Sequence, residues 1–336
     1  MAYQLATAKI WNGTAWIDAV GGLQPVTSGG DYADEENGYY YNVFTQNGTL
    51  TVSREVNCEI LMVGGGGGGG GAGGSSGGGG GAGGLILTTA TLTAGSYSVG
   101  IGTGASAGAS GGTATPGGTG GDTTFNGLTA KGGGGGGGED VTRSGTTGAS
   151  SGGAGDNGNT QNPVAPLGLL SAPGDDVYGR GEQGHYGASS NGGSNTSGGG
   201  GGAGSPGKIG GGQRWRFDDA DNLDFGQQGS GGEGVRLDSW GADCSALGVP
   251  NTFESVTWTG ISGSVTAYFI ASGGSGGYDN NSGRIRAPYG GGAWGAYQDG
   301  DALTALDNSG GGGGGGAQNN LASDGADGVC IVRYRV

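Results

Sequence analysis

Five unbroken glycine runs, Gly64–Gly71, Gly77–Gly81, Gly132–Gly138, Gly198–Gly202 and Gly310–Gly316, constrain this chain more than any other feature. Collagen requires glycine at every third position and abundant proline, and neither holds here. An all-glycine run has one extended regular form, the polyproline II type helix, with three residues per turn and no internal hydrogen bonds. Its N–H and C=O groups must therefore find partners outside the run. Because no face carries a side chain, such helices can pack side by side and bond to neighbours in every direction. Ordering a residue costs roughly 1–2 kcal/mol and more for glycine. An interhelix hydrogen bond returns roughly 0.5–1.5 kcal/mol and a Cα–H···O contact about 0.5–1 kcal/mol. The terms nearly cancel, so the bundle needs seeding by apolar segments at its ends.

Composition alone would argue for disorder. Glycine is 95 of 336 residues, and Leu, Ile, Val and Phe together make up only about 15% of the chain. Charged residues are just 12%, however, so charge does not hold the chain open. The apolar residues also cluster beside the glycine runs. Tyr39–Thr45 and Thr49–Ser53 flank Asn47-Gly48 and read as a hairpin. Cys58–Val63 leads into Gly64, and Leu85–Leu92 and Tyr97–Ile101 follow the second run with a turn at Ala94-Gly95. Val256–Ile261 and Val265–Ala271 suggest another hairpin, and Val329–Tyr334 closes the chain as a strand. No helical period persists beyond a turn or two. The expected fold is mainly β with irregular loops: short antiparallel strands capping packed polyglycine II helices, with essentially no α-helix.

Residues 1–30 read as a separate attachment segment and linker. Trp11 and Trp16 stand five apart around Asn12-Gly13, as aromatic anchors on a turn that either dock elsewhere or pack on the neighbouring β region. Residues 31–336 form the glycine-rich domain, and the nonrepetitive stretch 213–254 reads as an inserted lobe.

The ordered set YYNVFTQNGTLTVSREVNCEILMV before the first run, LTAGSYSVG, GGTGGDTTFNG and the terminal GVCIVRYRV resembles the glycine-rich domain of bacteriophage tail-fibre proteins. The likeness covers about residues 31–138 and 255–336. It implies a receptor-binding adhesin at the distal tip of a virion's tail fibre, made in a bacterial cytoplasm, with layered polyglycine II helices whose connecting loops touch the host surface. The long stretch Gln213–Phe253 departs from that pattern, so contact residues are drawn from this sequence alone.

Loops between parallel rigid helices emerge together at a bundle end. Val141–Asn195, Gln213–Phe253 and Tyr278–Asn308 carry most of the aromatic residues outside the expected strands. Tyr178, Tyr186, Trp215, Trp240, Tyr289, Trp294 and Tyr297 are candidates to stack on sugar rings or fill pockets of an outer-membrane protein, or else to hold the loops as small cores. Arg180, Arg214 and Arg216 are candidates for anionic sugars or phosphates.

Catalysis finds little support. His185 is the only histidine, and no G-x-S-x-G elbow accompanies it in a strand-to-helix setting. Asp218, Asp219, Asp221 and Asp224 suit a solvated face better than a carboxylate pair or a Ca²⁺ site. The expectation is a protein with no enzyme activity, cofactor or metal. Cys58, Cys244 and Cys330 are too few for a disulfide framework and read as buried thiols. A net charge of −15 argues against nucleic acid or an anionic bilayer as partner, and no segment suits membrane insertion. The expected partners are a host polysaccharide or outer-membrane protein, other tail proteins through the N-terminal segment, and two further copies in a homotrimer that would cover the short apolar strands. A structural or ice-binding glycine-rich protein and a polysaccharide-cleaving fibre are the alternatives.

Overall fold

The computed structural model describes residues 9–11, 16–18, 26–139, 142–155, 183–190, 196–209, 229–260, 263–279 and 285–336. The glycine runs form a bundle of extended segments whose hydrogen bonds repeat every three residues. Gly64, Gly67 and Gly70 donate to the carbonyls of Gly84, Gly81 and Gly78 at 3.0, 2.9 and 2.8 Å. Gly65, Gly68 and Gly71 donate to Gly121, Gly118 and Thr115, while Gly66 and Gly69 donate to Ala326 and Ser323. The carbonyls of the same segment accept from 105–111, 133–139 and 313–316. Three antiparallel donor-side neighbours and three parallel acceptor-side neighbours thus surround 64–72 in a hexagonal array, with successive N–H groups serving a different neighbour. The segment 77–84 repeats the pattern with 64–70, 131–137, 310–316, 198–201, 150–153 and 274–277.

Position in the array decides which side chains are allowed. A Cβ on Gly69 would lie 2.0 Å from the carbonyl oxygen of Gly314, and one on Gly80 would lie 2.1 Å from that of Gly67. At the bundle edge, 102–110 shows a three-residue burial period instead. Gly102, Ala105 and Gly108 face inward, whereas Thr103, Ser106 and Ala109 are exposed. Exposed side chains therefore recur at every third position of this edge segment, and an inward position here takes nothing larger than alanine.

The bundle grows from a β region. In chain order the strands are β1 (Lys9–Trp11), β2 (Trp16–Asp18), β3 (Thr27–Ser28), β4 (Tyr32–Glu36), β5 (Tyr39–Phe44), β6 (Gly48–Val52), β7 (Val56–Val63), β8 (Leu85–Leu92), β9 (Gly95–Gly100), β10 (Thr123–Phe125) and β11 (Leu128–Ala130). They continue with β12 (Val235–Arg236), helix α1 (Asp238–Ala246), β13 (Glu254–Gly260), β14 (Gly263–Ile270) and β15 (Val329–Arg335). Two five-stranded sheets, β4-β5-β15-β7-β8 and β11-β10-β9-β6-β3, share one apolar core containing Phe44, Leu50, Ile60, Met62, Val99, Phe125 and Val332. β1 and β2 pair as a separate hairpin with Trp11 opposite Trp16.

The expected hairpin around Asn47-Gly48 does not form. β5 and β6 lie in different sheets, and Asn47 Oδ1 instead accepts the Ile101 amide at 2.7 Å. The hairpins use Asn37-Gly38 between β4 and β5 and Asn126-Gly127 between β10 and β11. Both have positive φ at both positions, 49° and 78° in the first and 47° and 78° in the second, as a type I′ turn requires. β5 pairs with β15 instead, which buries its run of Asn42, Val43 and Phe44 at the sheet centre.

A lobe of β12, β14 and β13 with α1 packs on the other face of the β15 sheet. Its described part spans 235–270; of the stretch 213–254 read as an inserted lobe, 229–234 belong to the bundle and 213–228 lie outside the described residues. Helix α1 is an exception to the expected absence of helix. Leu237, Trp240, Cys244 and Leu247 line one face at helical spacing and meet Tyr41, Leu61 and Ile331. Gly241 lets Tyr268 approach, since a Cβ there would lie 2.3 Å from the Tyr268 Cβ. The sandwich also begins before residue 30, with Val26 buried and its amide bonded to the Tyr334 hydroxyl at 2.7 Å. β5, β7 and β15 are covered on both faces within one chain, so the apolar strands need no neighbouring copies to shield them.

Lobe and sandwich are joined through a buried cation. Arg333 on β15, 7% exposed, donates to Tyr41 Oη at 2.8 Å and to Glu59 Oε2 at 2.8 and 2.6 Å. Its guanidinium lies 3.8 Å from the Trp240 ring centroid and 3.7 Å from Asp243 on α1. Tyr41 donates to Asp243, and burial together with that bond raises the phenol's pKa. Burial opposes the Arg333 charge, but its bonds to Tyr41 and Glu59 hold its pKa above the ordinary value. All three thiols are free and buried; burial pushes Cys58 up to about 11, and burial, then the Asp243 charge, pushes Cys244 up to about 12.

Three outcomes follow from this architecture. Gly69→Ala and Gly80→Ala each lower stability in urea unfolding by about 1–3 kcal/mol, while Ser106→Ala stays within about 0.5 kcal/mol. Arg333→Met costs about 3–5 kcal/mol, and Asp243→Leu added to it recovers part of the loss. At pH 8 the native thiols resist alkylation, and reactivity appears only on unfolding; rapid native labelling would contradict their burial.

Candidate functional site

Alternation of the bundle segments gives it two unlike ends. Segment 64–72 leaves β7 and runs outward, and 77–84 returns to β8. The same out-and-back course holds for 102–110 with 115–122, for 290–297 with 300–306, and for 310–316 with 320–328. The near end is therefore occupied by the sandwich and the lobe. The far end carries the turns 73–76, 111–114, 297–300 and 317–320 and the ends of segments 131–139, 196–204 and 271–278.

These distal turns bond to one another. Glu139, 6% exposed, accepts the amides of Gly73, Gly74 and Ser75 at 2.6, 2.7 and 2.8 Å through one carboxylate oxygen. This ties the first turn to a segment far away in sequence. The Ser76 and Ser197 hydroxyls meet at 2.8 Å beneath the surface. Tyr278 forms backbone bridges to Thr196 and Tyr297. Asn320 donates to the carbonyls of Tyr297 and Gln298 at 2.8 and 2.9 Å, and Gln318 donates through its side chain to Asp279. The face so assembled is made of carboxamides and half-buried tyrosines held by backbone-anchored turns. Such groups offer donors, acceptors and flat apolar rings at low entropic cost. Among the described residues no cluster of His, Cys, Asp and Glu is arranged to hold a metal ion.

Of the residues singled out from sequence, those that are described do not converge on this face as a set. Tyr297 lies in a distal turn and is half-buried. Tyr186 is 44% exposed on the flanking segment 183–190, where its carbonyl accepts the Gly207 amide. Trp294 is half-buried along the flank, with the Arg286 guanidinium 5.0 Å from its ring centroid. Tyr289 stands at the opposite end beside Phe269, with ring centroids 5.6 Å apart, and its carbonyl accepts the Gly234 amide. Trp240 is a correction. It is 4% exposed in the core between lobe and sandwich, where α1 points its apolar face, and it cannot meet a receptor. Tyr178, Arg180, Trp215, Arg214 and Arg216 lie outside the described residues, as do the side chains of Trp11 and Trp16.

Glu139, Tyr278, Gln318 and Asn320 were not foreseen as part of this face. One signal was available. Tyr297-Gln298-Asp299-Gly300 and Ala317-Gln318-Asn319-Asn320 are equivalent turns, each closed by a bridge between its first and last residue, and both carry Gln followed by an Asx. Glu139 was invisible because its partners are the backbone amides of Gly73, Gly74 and Ser75, 64–66 positions away.

No curated protein matches the chain. The family model described as glycine-rich domain matches residues 44–335, which takes in β6 to β15, the described lobe and the bundle segments but leaves out β3, β4 and nearly all of β5. The chain thus belongs to the glycine-rich domain family.

Proposed function

We propose that this protein is the receptor-binding adhesin of a bacteriophage tail fibre, a non-enzymatic module that recognises a host-surface polysaccharide or outer-membrane protein. The observation that carries the reading is the asymmetry of the bundle: one end is filled by sandwich and lobe, and among the described residues the other carries cross-linked turns. A rigid bundle displaying turns at its end is suited to recognition, because turn residues lie outside the glycine lattice that holds them. Tyr297, Gln298, Asn319 and Asn320 supply the stacking surface and hydrogen-bonding groups that a neutral glycan or a polar protein loop requires. The resemblance of the strand and glycine-run order to tail-fibre domains points the same way. Attachment to other tail proteins falls to the N-terminal hairpin of β1 and β2 in this reading, which lies outside the two large sheets. The net charge of −15 disfavours long-range attraction to a negative cell surface, so recognition rests on short-range contacts at the turns.

Binding of the labelled protein to intact cells of a bacterial strain panel tests this. Selective binding to some strains is expected, with Tyr297→Ala and Gln298→Ala each weakening it about ten-fold and Thr266→Ala, at the sandwich end, leaving it unchanged. Absence of strain-selective binding, or equal loss in all three variants, would remove the adhesin reading.

A further inference from the structure

One flank of the bundle carries a pattern that the distal face does not use. Segments 300–306 and 320–328 lie side by side, with the Ala302 amide donating to the Leu321 carbonyl at 2.9 Å. Leu303 and Leu321, one on each of these adjoining segments, are 41% and 58% exposed, while Ala305 and Ala326 of the same segments are buried in one cluster. Along 321–328 burial repeats every third residue: Ser323 and Ala326 face inward, and Leu321, Asp324 and Asp327 face solvent. The outward row therefore reads apolar, acidic, acidic, with a step of roughly 9.3 Å per turn.

The two carboxylates in that row are held in place. Asp324 Oδ1 accepts the Ala107 amide at 2.7 Å, and Asp327 Oδ1 accepts the Gly104 amide at 2.6 Å, so each leans on the neighbouring edge segment. Asp301 Oδ1 in turn accepts the Leu321 amide at 2.7 Å. From residue 290 to 328 the chain has five aspartates and no Lys, Arg or Glu. An exposed apolar pair within so one-sided a field selects its partner by charge. A second copy placed on the same flank would set aspartate against aspartate, and nucleic acid would meet the same repulsion.

We infer that this flank docks an extended segment of another protein, in polyproline II conformation, that bears one apolar and two basic side chains at successive third positions. Such a segment also has three residues per turn and a rise of about 3.1 Å per residue, so its side-chain row keeps step with that of 321–327. Its apolar side chain rests on Leu303 and Leu321, and its two cations meet Asp324 and Asp327. The inference is independent of what the distal turns bind.

Calorimetry at low salt with capped proline-rich peptides tests it on the full chain. The matched probe places Leu, Lys and Lys at successive third positions. A permuted probe of identical composition sets Leu between the lysines, and a third replaces Lys by Glu. The matched peptide is expected to bind about ten-fold tighter than the permuted one, and the Glu peptide not at all. Leu321→Gln should weaken the matched peptide about ten-fold, and Asp324→Asn with Asp327→Asn by at least as much. Asparagine keeps the Oδ1 acceptor for Ala107 and Gly104, so unchanged thermal midpoints in these variants would separate lost charge from lost structure. Equal affinity for matched and permuted peptides, or no binding at millimolar concentration, would overturn the inference. Concentration-dependent self-association that Leu303→Gln abolishes would also overturn it, by assigning the flank to a second copy.

Discussion

The hydrogen bond between one glycine backbone and the next is the interaction on which everything else in this protein depends. Each interior helix spends its amides on three neighbours and its carbonyls on three others, so the lattice closes only if all of them are present. The approach that allows this leaves about 2 Å between a would-be Cβ and a neighbouring carbonyl oxygen. Glycine is therefore required by the contact itself, although its flexibility in the unfolded chain makes it the costliest residue to order. An interhelix bond barely offsets that cost on its own.

The deficit explains why the lattice is attached to a conventional core. Strands β7, β8, β10, β11 and β15 run directly into or out of bundle segments, and their packing fixes where those segments start. The sheet containing β15 is buried on both faces, against the second sheet and against α1 with its lobe. Arg333 bridges the two sides at a point where an uncompensated charge would be expensive, and five partners from three elements surround it, Tyr39 and Tyr41 of β5, Glu59 of β7, and Trp240 and Asp243 of α1. Anchoring at one end leaves the opposite end as the place where turns vary without cost to the lattice.

Much of this organisation was legible in the chain. The glycine runs implied side-by-side extended helices, and β5, β7, β8, β13, β14 and β15 fall where their β-branched and aromatic residues stand. The three-residue outward pattern of Thr103, Ser106 and Ala109 is written in the sequence as well. Strand pairing was less accessible. Among the described residues Asn-Gly occurs at 37–38, 47–48 and 126–127, yet only the first and third of these adopt the positive φ pair of a tight hairpin. At the second, β5 gains more by pairing with β15 at the sheet centre than by folding back on β6. Trp240 misled for a related reason: an aromatic in a nonrepetitive stretch looks like a loop anchor until the helical spacing of Leu237, Trp240, Cys244 and Leu247 is set against the sheet it covers.

By itself the sequence determined the local geometry, because an unbroken glycine run has a single extended form whose bonding groups must be met from outside, and because short apolar runs beside it supply strands. Only the tertiary structure decided which segments became neighbours. The hydrogen bonds of the lattice join residues such as Gly66 and Ala326 that are indistinguishable from dozens of other pairs in composition. With no side chain to encode partner choice, adjacency is set by where the β core releases each segment. That is why the distal face, built from turns distant in sequence, emerges only when the whole bundle is assembled.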